Sequence, residues 1–500
     1  MERTDWLDEG LDSADARFLM LTAITHHQFS SPIWGEHEVR KLHAELAELD
    51  VLATWAVVDQ SVSRSERRRA SIRSLARGEN GPGAPYIRAQ ARERAYPAAM
   101  TFGMLSNSAL RGAFMPPDRW FAVGTADVSA DGAGGRAADA ALIHDEAKLL
   151  IVFCSPTENV QDLIGQIRSR SGDVPLIGCT TAGEIARNGP RDGSVVVAAL
   201  GGDGFVIGTA AAAGASEDLR DAGARAARCL PSPAGHPHRV MLLLTDGLAS
   251  DQDEIIRGAY SVLGAGIPMV GGCAGDGLKM ARTFQFHGDH VLTDSVIAAG
   301  IASTGPLGIG VQHGWRAVGE PLLVTGSSPN RVDSLDDRPA LDVFLERLGT
   351  EPGHLRPEDL PALALMHPLG LGRHRGEEQM RFITSADFRR RSLFSTAQVP
   401  QGSLAFLMEA DTSAVLAATT AACDASIAAL GGSTPLGMLA FDCVARRGVL
   451  GHEGIKKEIQ GLADAAGGAP LAGFYSYGEI ARTHGMRGLH NYTLVILSVA

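Results

Sequence analysis

The residues best suited to chemistry lie in a glycine-rich pattern that occurs twice. Residues 175–187 read PLIGCTTAGEIAR and residues 470–482 read PLAGFYSYGEIAR. The acids and bases of the two copies are Glu184, Arg187, Glu479 and Arg482. If each segment forms a helical turn, its acid and base share one face and could hold a zwitterion such as an amino acid. The alternative is that each Glu–Arg pair is an intramolecular ion pair that closes a loop.

A looser third copy lies between these two. Residues 268–277 read PMVGGCAGDG, with the second glycine one residue earlier and with Asp276 in place of the glutamate. Glycine at the end of a strand permits a sharp turn or a close approach of the backbone to another group. The pattern therefore favours a tight turn of small residues, or a loop whose N–H groups and carboxylate line a pocket. These two interpretations are compatible, and three copies indicate an internal repeat.

Two cysteines in the loops raise the question of nucleophilic catalysis. Cys179 and Cys273 lie between glycines, where a thiol of low pKa could act as a nucleophile. The C-terminal copy has Phe474 and Tyr475 where the first copy has Cys179 and Thr180, so glycine and the acid persist while the thiol does not. We predict that the chain is not an enzyme, with an enzyme that uses a loop cysteine as an alternative. The sequence also lacks the G-x-x-x-x-G-K-[ST] run of a P-loop.

The predicted ligand-binding residues are those of the three loops, together with polar residues near the C-terminus. They are Gly178, Cys179, Thr180, Gly183, Glu184, Arg187, Gly272, Cys273, Asp276, Tyr475, Tyr477, Gly478, Glu479, Arg482 and Asn491. The better pocket is expected in the C-terminal half, where Tyr475, Tyr477 and Asn491 add polar contacts. No catalytic residue and no metal ligand are predicted, because His287 and His290 lie in a predicted hairpin without a neighbouring cysteine.

Composition and charge restrict the class of protein. The chain has 500 residues, of which 45% are hydrophobic and 20% charged, as in soluble globular proteins. A net charge of −12 argues against general nucleic-acid binding, which needs a basic face. No apolar run approaches membrane-spanning length, and the acidic N-terminus does not resemble a signal peptide. Six scattered cysteines without a C-x-x-C pair favour a reduced, cytoplasmic protein.

Strand–helix–strand units must position the loops. Residues 149–153 predict a buried strand, a helix with an apolar stripe follows, and the chain returns through the first glycine motif. The same order begins again at residues 240–245 and 438–443. The strands are too continuously apolar for a sheet with one wet face. We therefore predict an α/β fold (mixed α+β), with mixed β-sheets covered by outer helices and internally repeated strand–helix–strand units.

The first 110 residues do not share this pattern. Residues 39–51 predict a helix, whereas residues 61–100 form an arginine-rich linker by composition. Residues 64–96 hold too few apolar side chains to offset the entropy of ordering. We expect this segment to be irregular and to be cut first in limited proteolysis with trypsin.

The order of these motifs resembles the FIST domain family. The N-terminal resemblance includes IVFCSP, PLIGCTTAGEI, DGSVVVAAL, LLTDG, GGCAGDG and HGWRAVGEP, and continues through LDDRPALDVFLERLG. The C-terminal resemblance includes LMHPLG, GMLAFDCVARRGVLG and GGAPLAGFYSYGEIAR, followed by LHNYTL. We place a FIST N-terminal domain at residues 120–334 and a FIST C-terminal domain at 335–500, after an unassigned extension at 1–110.

The resemblance implies a bacterial sensory module of signal transduction that binds a small ligand, with amino acids among the ligands of the family. This sequence shows no kinase, receptor or diguanylate-cyclase signature, so its output is expected to pass to a partner such as a histidine kinase in trans, or to come from residues 1–110. No cofactor is predicted. Some family members are haem-containing nitric-oxide sensors, so a haem-binding sensor that regulates a separate histidine kinase is an alternative. Its candidate axial ligands are His313, His367, His374, His484 and His490.

Overall fold

The computed structural model describes residues 118–500, apart from 233, 329, 351–359, 373–378 and 484–487. The predicted helix at 39–51 and the arginine-rich segment at 61–100 therefore lie outside the described residues. The described part is a mixed α/β fold with four β-sheets and eight helices, which confirms the predicted fold class. No helix within these residues is long and apolar enough to cross a membrane.

The first repeat runs strand–helix–strand–helix–strand and ends with a hairpin and a last strand. Its elements are β1 (Trp120–Asp127), α1 (Ala133–Ala141), β2 (Ala147–Cys154), α2 (Val160–Ser171), β3 (Leu176–Thr180), β4 (Glu184–Ala186), β5 (Gly189–Arg191) and β6 (Ser194–Gly201). The apolar stripe predicted for α2 is buried at Val160, Leu163, Ile164 and Ile167. The helix ends at Gly172, whose φ of 55° suits glycine.

The second repeat follows the same order. Its elements are β7 (Phe205–Ala213), α3 (Leu219–Ala227), β8 (His238–Thr245), α4 (Gln252–Leu263), β9 (Met269–Cys273), β10 (Gln285–His287), β11 (His290–Leu292) and β12 (Ser295–Ser303), with a short 3-10 helix at Ala215–Glu217. Helix α4 begins after Asp251, whose carboxylate accepts a hydrogen bond from the backbone N–H of Asp253 at 3.0 Å. The predicted hairpin turns at Gly288, where φ is 62°.

The third repeat is interrupted after its first strand, β13 (Leu307–Gln312). The inserted elements are β14 (Arg316–Ser328), β15 (Arg331–Leu335), β16 (Arg338–Pro339), α5 (Ala340–Arg347), α6 (Leu360–Met366), β17 (Leu369–Leu371), β18 (Gln379–Arg381), β19 (Ile383–Asp387), β20 (Ser392–Ser395) and β21 (Leu404–Glu409). The repeat then continues with α7 (Thr412–Ala428), β22 (Gly437–Cys443), α8 (Val444–Ala465), β23 (Leu471–Ser476), β24 (Glu479–Arg482), β25 (Leu489–His490) and β26 (Leu494–Val499). The inserted strands form an eight-stranded sheet of their own, which we call the inserted sheet.

The three repeats build three sheets with one strand order. The orders are β1-β6-β2-β3-β10-β11, β7-β12-β8-β9-β24-β25 and β13-β26-β22-β23-β4-β5. The two central strands β2 and β3, and their counterparts, run parallel. The hairpin at the edge of each sheet comes from another repeat: the first repeat gives its hairpin to the third, the third to the second, and the second to the first. The sequence repeat is therefore a closed cycle of three exchanged hairpins.

Glycine in the repeated motif allows the strands to approach each other closely. A β-carbon on Gly178 would lie 2.2 Å from the carbonyl oxygen of Val152, and β-carbons on Gly271 and Gly473 would meet equivalent oxygens at 1.9 and 2.1 Å. These distances are far shorter than van der Waals contact. The motif glycines are thus required by backbone packing inside the parallel strand pairs.

The main core lies between the inner faces of the three sheets. It contains Phe153 of β2, Leu242 of β8 and Phe441 of β22, each on the first strand of the parallel pair in its sheet. The ring of Phe474 lies 4.7 Å from that of Phe153, centroid to centroid. The helices pack against the outer faces, where they bury further apolar clusters. Both faces of the repeat sheets are therefore covered, as the continuous apolar strands predict.

Candidate functional site

The strand pairings identify the equivalent residues that begin the three exchanged hairpins. The pairs are Glu184 with Phe474, Glu479 with Gly272, and Gln285 with Cys179. Gln285 thus takes the place of the two glutamates in the second repeat. The prediction that Asp276 replaces the glutamate is wrong, because the residue at this place in the sheet is Gln285. Gln285 follows Pro268 by 17 positions, whereas Glu184 follows Pro175 by nine. A longer loop moves the equivalent residue away from the glycine motif.

Glu184 lies in the first of three buried polar clusters. Its side chain is fully buried. Its carboxylate accepts hydrogen bonds from Ser155 Oγ at 2.9 Å, from Ser194 Oγ at 2.8 Å, and from the hydroxyl of Thr181. Burial raises the pKa of Glu184 to about 7, although these hydroxyl donors act in the opposite direction. The carboxyl group is therefore part of a self-contained network.

Glu479 occupies the equivalent place in the third repeat. It is also fully buried, and its carboxylate accepts from Ser476 Oγ at 2.6 Å and from the backbone N–H of Thr493 at 3.2 Å. Burial raises the pKa of Glu479 to about 8, against the effect of these donors and of the Cys443 thiol. In the folded protein Glu479 is therefore largely neutral at pH 7.

The second repeat has an amide and a carboxylate in this place. Gln285 Nε2 donates to Thr283 Oγ1 at 2.9 Å, and the Thr283 hydroxyl donates to Asp246 Oδ1 at 2.8 Å. The Asp246 carboxylate also accepts from the backbone N–H groups of Leu248 at 2.9 Å and Asp294 at 3.0 Å. Asp246 is half-buried, so this cluster, unlike that of Glu479, has a side chain that solvent reaches.

The three glycine loops bind one another through their backbones. Gly275 N–H donates to the carbonyl oxygen of Thr180 at 2.9 Å, and Cys273 N–H donates to that of Gly478 at 2.7 Å. Tyr475 N–H closes the cycle by donating to Gly183 at 2.8 Å. These backbone groups therefore serve the tight packing of the loops, in line with the first of the two interpretations of the glycines.

The predicted Glu–Arg faces are wrong, because both segments are strands. In β24, Glu479 and Arg482 are three apart and point to opposite faces of the sheet, whereas β4 ends at Ala186 and Arg187 lies in the turn that follows it. Arg187 is exposed, and its Nη1 donates to the carbonyl oxygen of Gly468 at 2.7 Å. Neither the zwitterion-binding pair nor the loop-closing ion pair is formed by Glu184 and Arg187.

Arg482 is buried although its local sequence matches that of Arg187. Its Nη1 donates to the carbonyl oxygen of Ile267 at 3.1 Å and its Nη2 to that of Gly264 at 2.8 Å. The guanidinium also lies 4.4 Å above the ring of Tyr260. Arg482 therefore attaches the third repeat to the end of α4, and it points away from Glu479.

Several other predicted residues do come together at the junction of the second and third loops. Tyr477 donates its hydroxyl proton to Asp276, and Asp276 also accepts from the backbone N–H of Met280 at 2.9 Å. Burial acts to raise the pKa of Asp276, but these hydrogen bonds outweigh it and lower the pKa below its ordinary value. Asp276 is therefore an ionised cap that fixes the loop between β9 and β10.

The same junction holds Cys273 and Asn491. A β-carbon on Gly478 would lie 3.2 Å from Cys273 Sγ and 3.5 Å from Asn491 Nδ2. Asn491 Oδ1 accepts from Oγ1 of Thr396, the residue that follows β20 of the inserted sheet, at 2.8 Å. Burial raises the pKa of Cys273 to about 12, so this thiol stays protonated and is a poor nucleophile.

The inserted sheet adds a charged residue to this region. Arg381 on β18 is 1% exposed, and its Nη2 lies 3.7 Å from Asp253 Oδ2 at the start of α4. Its Nε donates to the carbonyl oxygen of Gln398 at 3.1 Å. Neighbouring Gln379 donates to the carbonyl oxygen of Leu489 at 2.9 Å. The sequence gives no signal for Arg381, because its partners lie far away along the chain.

The chain matches two models of known protein domains. The FIST N domain model matches residues 148–338 and the FIST C domain model matches residues 340–482. The chain belongs to the FIST domain family. FIST domains are generally sensory domains of signal transduction. In the fold, the FIST N match ends at β16 and the FIST C match begins at α5. The first strand of the third repeat thus lies within the FIST N match.

Curated relatives of this FIST protein are mycobacterial and uncharacterized. Uncharacterized protein Rv0628c of Mycobacterium tuberculosis is 26% identical over 349 residues, which cover 68% of this chain and 87% of that protein. Uncharacterized protein Mb0898c of Mycobacterium bovis is 27% identical over 266 residues, which cover 50% of this chain and 65% of that protein. These relatives support common descent and assign no ligand.

The FIST C part contains a buried charged network that sequence reasoning missed. Arg446 at the start of α8 is fully buried between Asp442, at 2.7 Å, and Glu458, at 2.6 Å. It also donates to Thr419 Oγ1 at 2.7 Å and to the carbonyl oxygen of His313 at 2.8 Å. Burial, and then the nearby Glu458, raise the pKa of Asp442. The network joins α7, α8 and β22. The spacing of Asp442 and Arg446, four residues apart, is the signal that could have revealed part of it.

The haem alternative depends on five candidate histidines. His374 and His484 lie outside the described residues, whereas His313, His367 and His490 are described. His313 Nδ1 accepts from the backbone N–H of Trp315 at 2.9 Å, and His490 Nε2 lies 3.0 Å from the carbonyl oxygen of Ala481. In the described ranges, no group of three or more His, Cys, Asp or Glu side chains could hold a metal ion.

Proposed function

We propose that this FIST protein is a sensor of a small zwitterionic ligand, such as an amino acid. Its binding site would lie where the inserted sheet covers the loops of the second and third repeats. The observation that supports this most strongly is the buried pair of Arg381 and Asp253. Ligand sites often lie at the boundary between two parts of a fold, where a few charged groups converge in apolar surroundings.

The geometry of this pair suits an exchange of partners. Arg381 and Asp253 are 1% and 7% exposed at their side chains, yet their closest charged atoms are 3.7 Å apart. A charge-assisted hydrogen bond is shorter, about 2.7–2.9 Å. In the proposed bound state a ligand carboxylate binds the guanidinium and a ligand ammonium binds the aspartate, and each replaces a partner of the pair. The backbone carbonyls that Arg381 contacts would hold it in place in both states.

Predicted residues of the loops continue the same surface. Gln379, next but one to Arg381, contacts Leu489 of β25, which pairs with β24. Asn491 follows β25 and lies beside Gly478. The proposed site thus includes Cys273, Tyr477, Gly478 and Asn491 of the predicted set, and leaves out Arg187 and Arg482.

The output of the sensor is proposed to pass to a separate protein, such as a histidine kinase. The sequence carries no kinase signature, and burial keeps Cys273 protonated, which argues against a cysteine enzyme. The six cysteines are all free thiols. We therefore propose that the protein works in the reducing cytoplasm.

A thermal-shift screen of the full chain against amino acids tests the ligand. A ligand present at about one hundred times its dissociation constant should stabilise the fold by about 2.7 kcal/mol. Arg381→Met and Asp253→Asn should abolish this response, whereas Arg390→Met, which removes an exposed guanidinium, should keep it. Circular dichroism checks that each variant is folded. Retention of the full shift in folded Arg381→Met would refute this site, and no shift with any zwitterion would refute the ligand class.

A further inference from the structure

The second repeat contains a buried oxygen that lacks a hydrogen-bond donor. Gln285 is fully buried, and among the described residues its Oε1 has no hydrogen-bond partner. Its Nε2 is occupied by Thr283 at 2.9 Å. In the other repeats, both oxygens of Glu184 and of Glu479 accept hydrogen bonds. At this equivalent position, the side-chain oxygens therefore all accept hydrogen bonds in the first and third repeats, whereas the amide oxygen of the second repeat accepts none from the described residues.

Two differences between the first and second repeats remove the donors. Ser155 and Asp246 are equivalent, since each directly follows the first strand of its parallel pair, β2 or β8. The backbone N–H of Ser155 donates to the carbonyl oxygen of Ser194 at 3.0 Å, and that of Asp246 donates to the carbonyl oxygen of Ser295 at 3.1 Å. Ser155 gives its hydroxyl proton to Glu184, whereas the Asp246 carboxylate accepts hydrogen bonds from Thr283, Leu248 and Asp294. The repeat therefore has an acceptor where its counterpart has a donor.

The second lost donor is Ser295, the counterpart of Ser194. The Ser194 hydroxyl donates to Glu184 at 2.8 Å, but the Ser295 hydroxyl donates to the backbone carbonyl oxygen of Thr293 at 2.7 Å. The Thr283 hydroxyl is also engaged, since it donates to Asp246. No hydroxyl of this set is left for Gln285.

We propose that Asp246 and Gln285 form a binding site for an ammonium group. An ammonium is a compact cation with several N–H donors, so one group can serve both a carboxylate and an amide oxygen. Asp246 and Gln285 already share the hydroxyl of Thr283, which fixes them close together. Within the part of the chain that the structure describes, Asp246 Oδ2 accepts only the N–H of Asp294, and it has capacity for another donor. Asp246 is half-buried, which gives a cation access.

A divalent metal ion fits this cluster less well. Magnesium and calcium require about six or more oxygen ligands, whereas the cluster offers one carboxylate, one amide oxygen and an engaged hydroxyl. An ammonium ion, which directs its N–H groups at individual acceptors, suits a site with few oxygen atoms better than a metal ion does. The proposal is independent of the zwitterion site at Arg381, and the two can fail separately.

The melting temperature of the full chain in ammonium chloride tests the proposal, with sodium chloride and tetramethylammonium chloride at equal ionic strength as references. Ammonium should raise the melting temperature in a saturable way, and tetramethylammonium, which has no N–H donor, should not. Asp246→Asn removes the charge and supplies an N–H donor, and Gln285→Met removes the acceptor. Both should lose the ammonium response, whereas Asp203→Asn, which removes an exposed carboxylate, should keep it.

Two further measurements keep the proposal open to refutation. Methylammonium and longer primary amines distinguish free ammonium from the amine end of a larger molecule: a stronger response to the amines assigns the site to the larger molecule. If a variant does not fold, proton NMR of the wild-type protein with ¹⁵N-ammonium decides, because a bound ion should give a resonance separate from that of free ammonium. An equal response to all three salts overturns the proposal, as does an unchanged response in a folded Gln285→Met or the absence of a bound resonance.

Discussion

Replacing Glu479 by glutamine should remove a loss of stability that the wild-type fold suffers as the pH rises from 5 to 8. Glu479 is fully buried and its pKa is raised to about 8, from an ordinary value of 4.5. Glutamine keeps the shape of the neutral carboxyl group. Its amide oxygen can accept from the Thr493 N–H, and its NH₂ group can donate to Ser476. The second repeat already carries glutamine in this place, at Gln285.

The sign follows from where the proton is held. In the folded state Glu479 keeps a proton that the unfolded chain releases near pH 4.5, so folding binds a proton between these two values. The stability that Glu479 contributes is therefore complete below about pH 4.5 and is lost as the pH rises through about 8. The loss is about 1.4 kcal/mol for each pH unit in this window, or about 4 kcal/mol between pH 5 and pH 8. Glu184, with a pKa of about 7, adds a similar loss that ends one unit lower.

Guanidinium unfolding at pH 5, 6, 7 and 8 measures this effect, because guanidinium also screens surface charges. Wild type and Glu479→Gln should have similar free energies of unfolding at pH 5 and should diverge above it, with the variant more stable by several kcal/mol at pH 8. Glu320→Gln, which makes the same chemical change at an exposed position of β14, should follow the wild type. If the wild-type and Glu479→Gln curves run parallel from pH 5 to pH 8, Glu479 is not protonated in the fold and the reasoning is refuted.

Three further predictions concern packing and charge. Gly473→Ala should lower the free energy of unfolding by about 3 kcal/mol, because its β-carbon would lie 2.1 Å from a carbonyl oxygen. Gly165→Ala, in open space on α2, should raise it by about 0.5–1 kcal/mol. Chemical denaturation measures both changes. Arg446→Met should lower the free energy of unfolding by about 3–5 kcal/mol, because it leaves two buried acids without their cation. Lys456→Met, which removes an exposed ion pair of the same helix, should change it little in the same assay. Arg482→Ala should lower the apo melting temperature but preserve the ligand-induced shift, because Arg482 contacts the end of α4.

Local patterns in the sequence were enough to predict the elements of each repeat. Apolar residues at helical spacing predict α2 and α4, and Asp251 marks the start of α4, because these features act over one or two helical turns. Continuous apolar runs before a glycine predict β3 and β23, and Gly288 predicts the hairpin between β10 and β11. The order of the motifs also predicted the family, which the comparisons confirm.

The partners of these elements were decided by the tertiary structure. Strand β4 pairs with β23, nearly three hundred positions along the chain, and a strand edge carries no local sign of which distant edge it will join. The exchange of hairpins is what buries Glu184 and Glu479, and what reveals Gln285 as their equivalent. Without these pairings, Asp276 is the natural match, because it directly follows the glycine.

The two copies of Glu-Ile-Ala-Arg show the same limit at the level of single side chains. In the second copy both charged residues lie in β24 and alternate to opposite faces, whereas in the first copy β4 ends at Ala186 and Arg187 lies in the following turn. Arg187 reaches the surface and contacts one carbonyl oxygen, whereas Arg482 is buried against α4 and the ring of Tyr260. The sequence determined the strand and the identity of its charges. The burial of each charge, and hence its chemistry, depends on which repeat packs over it.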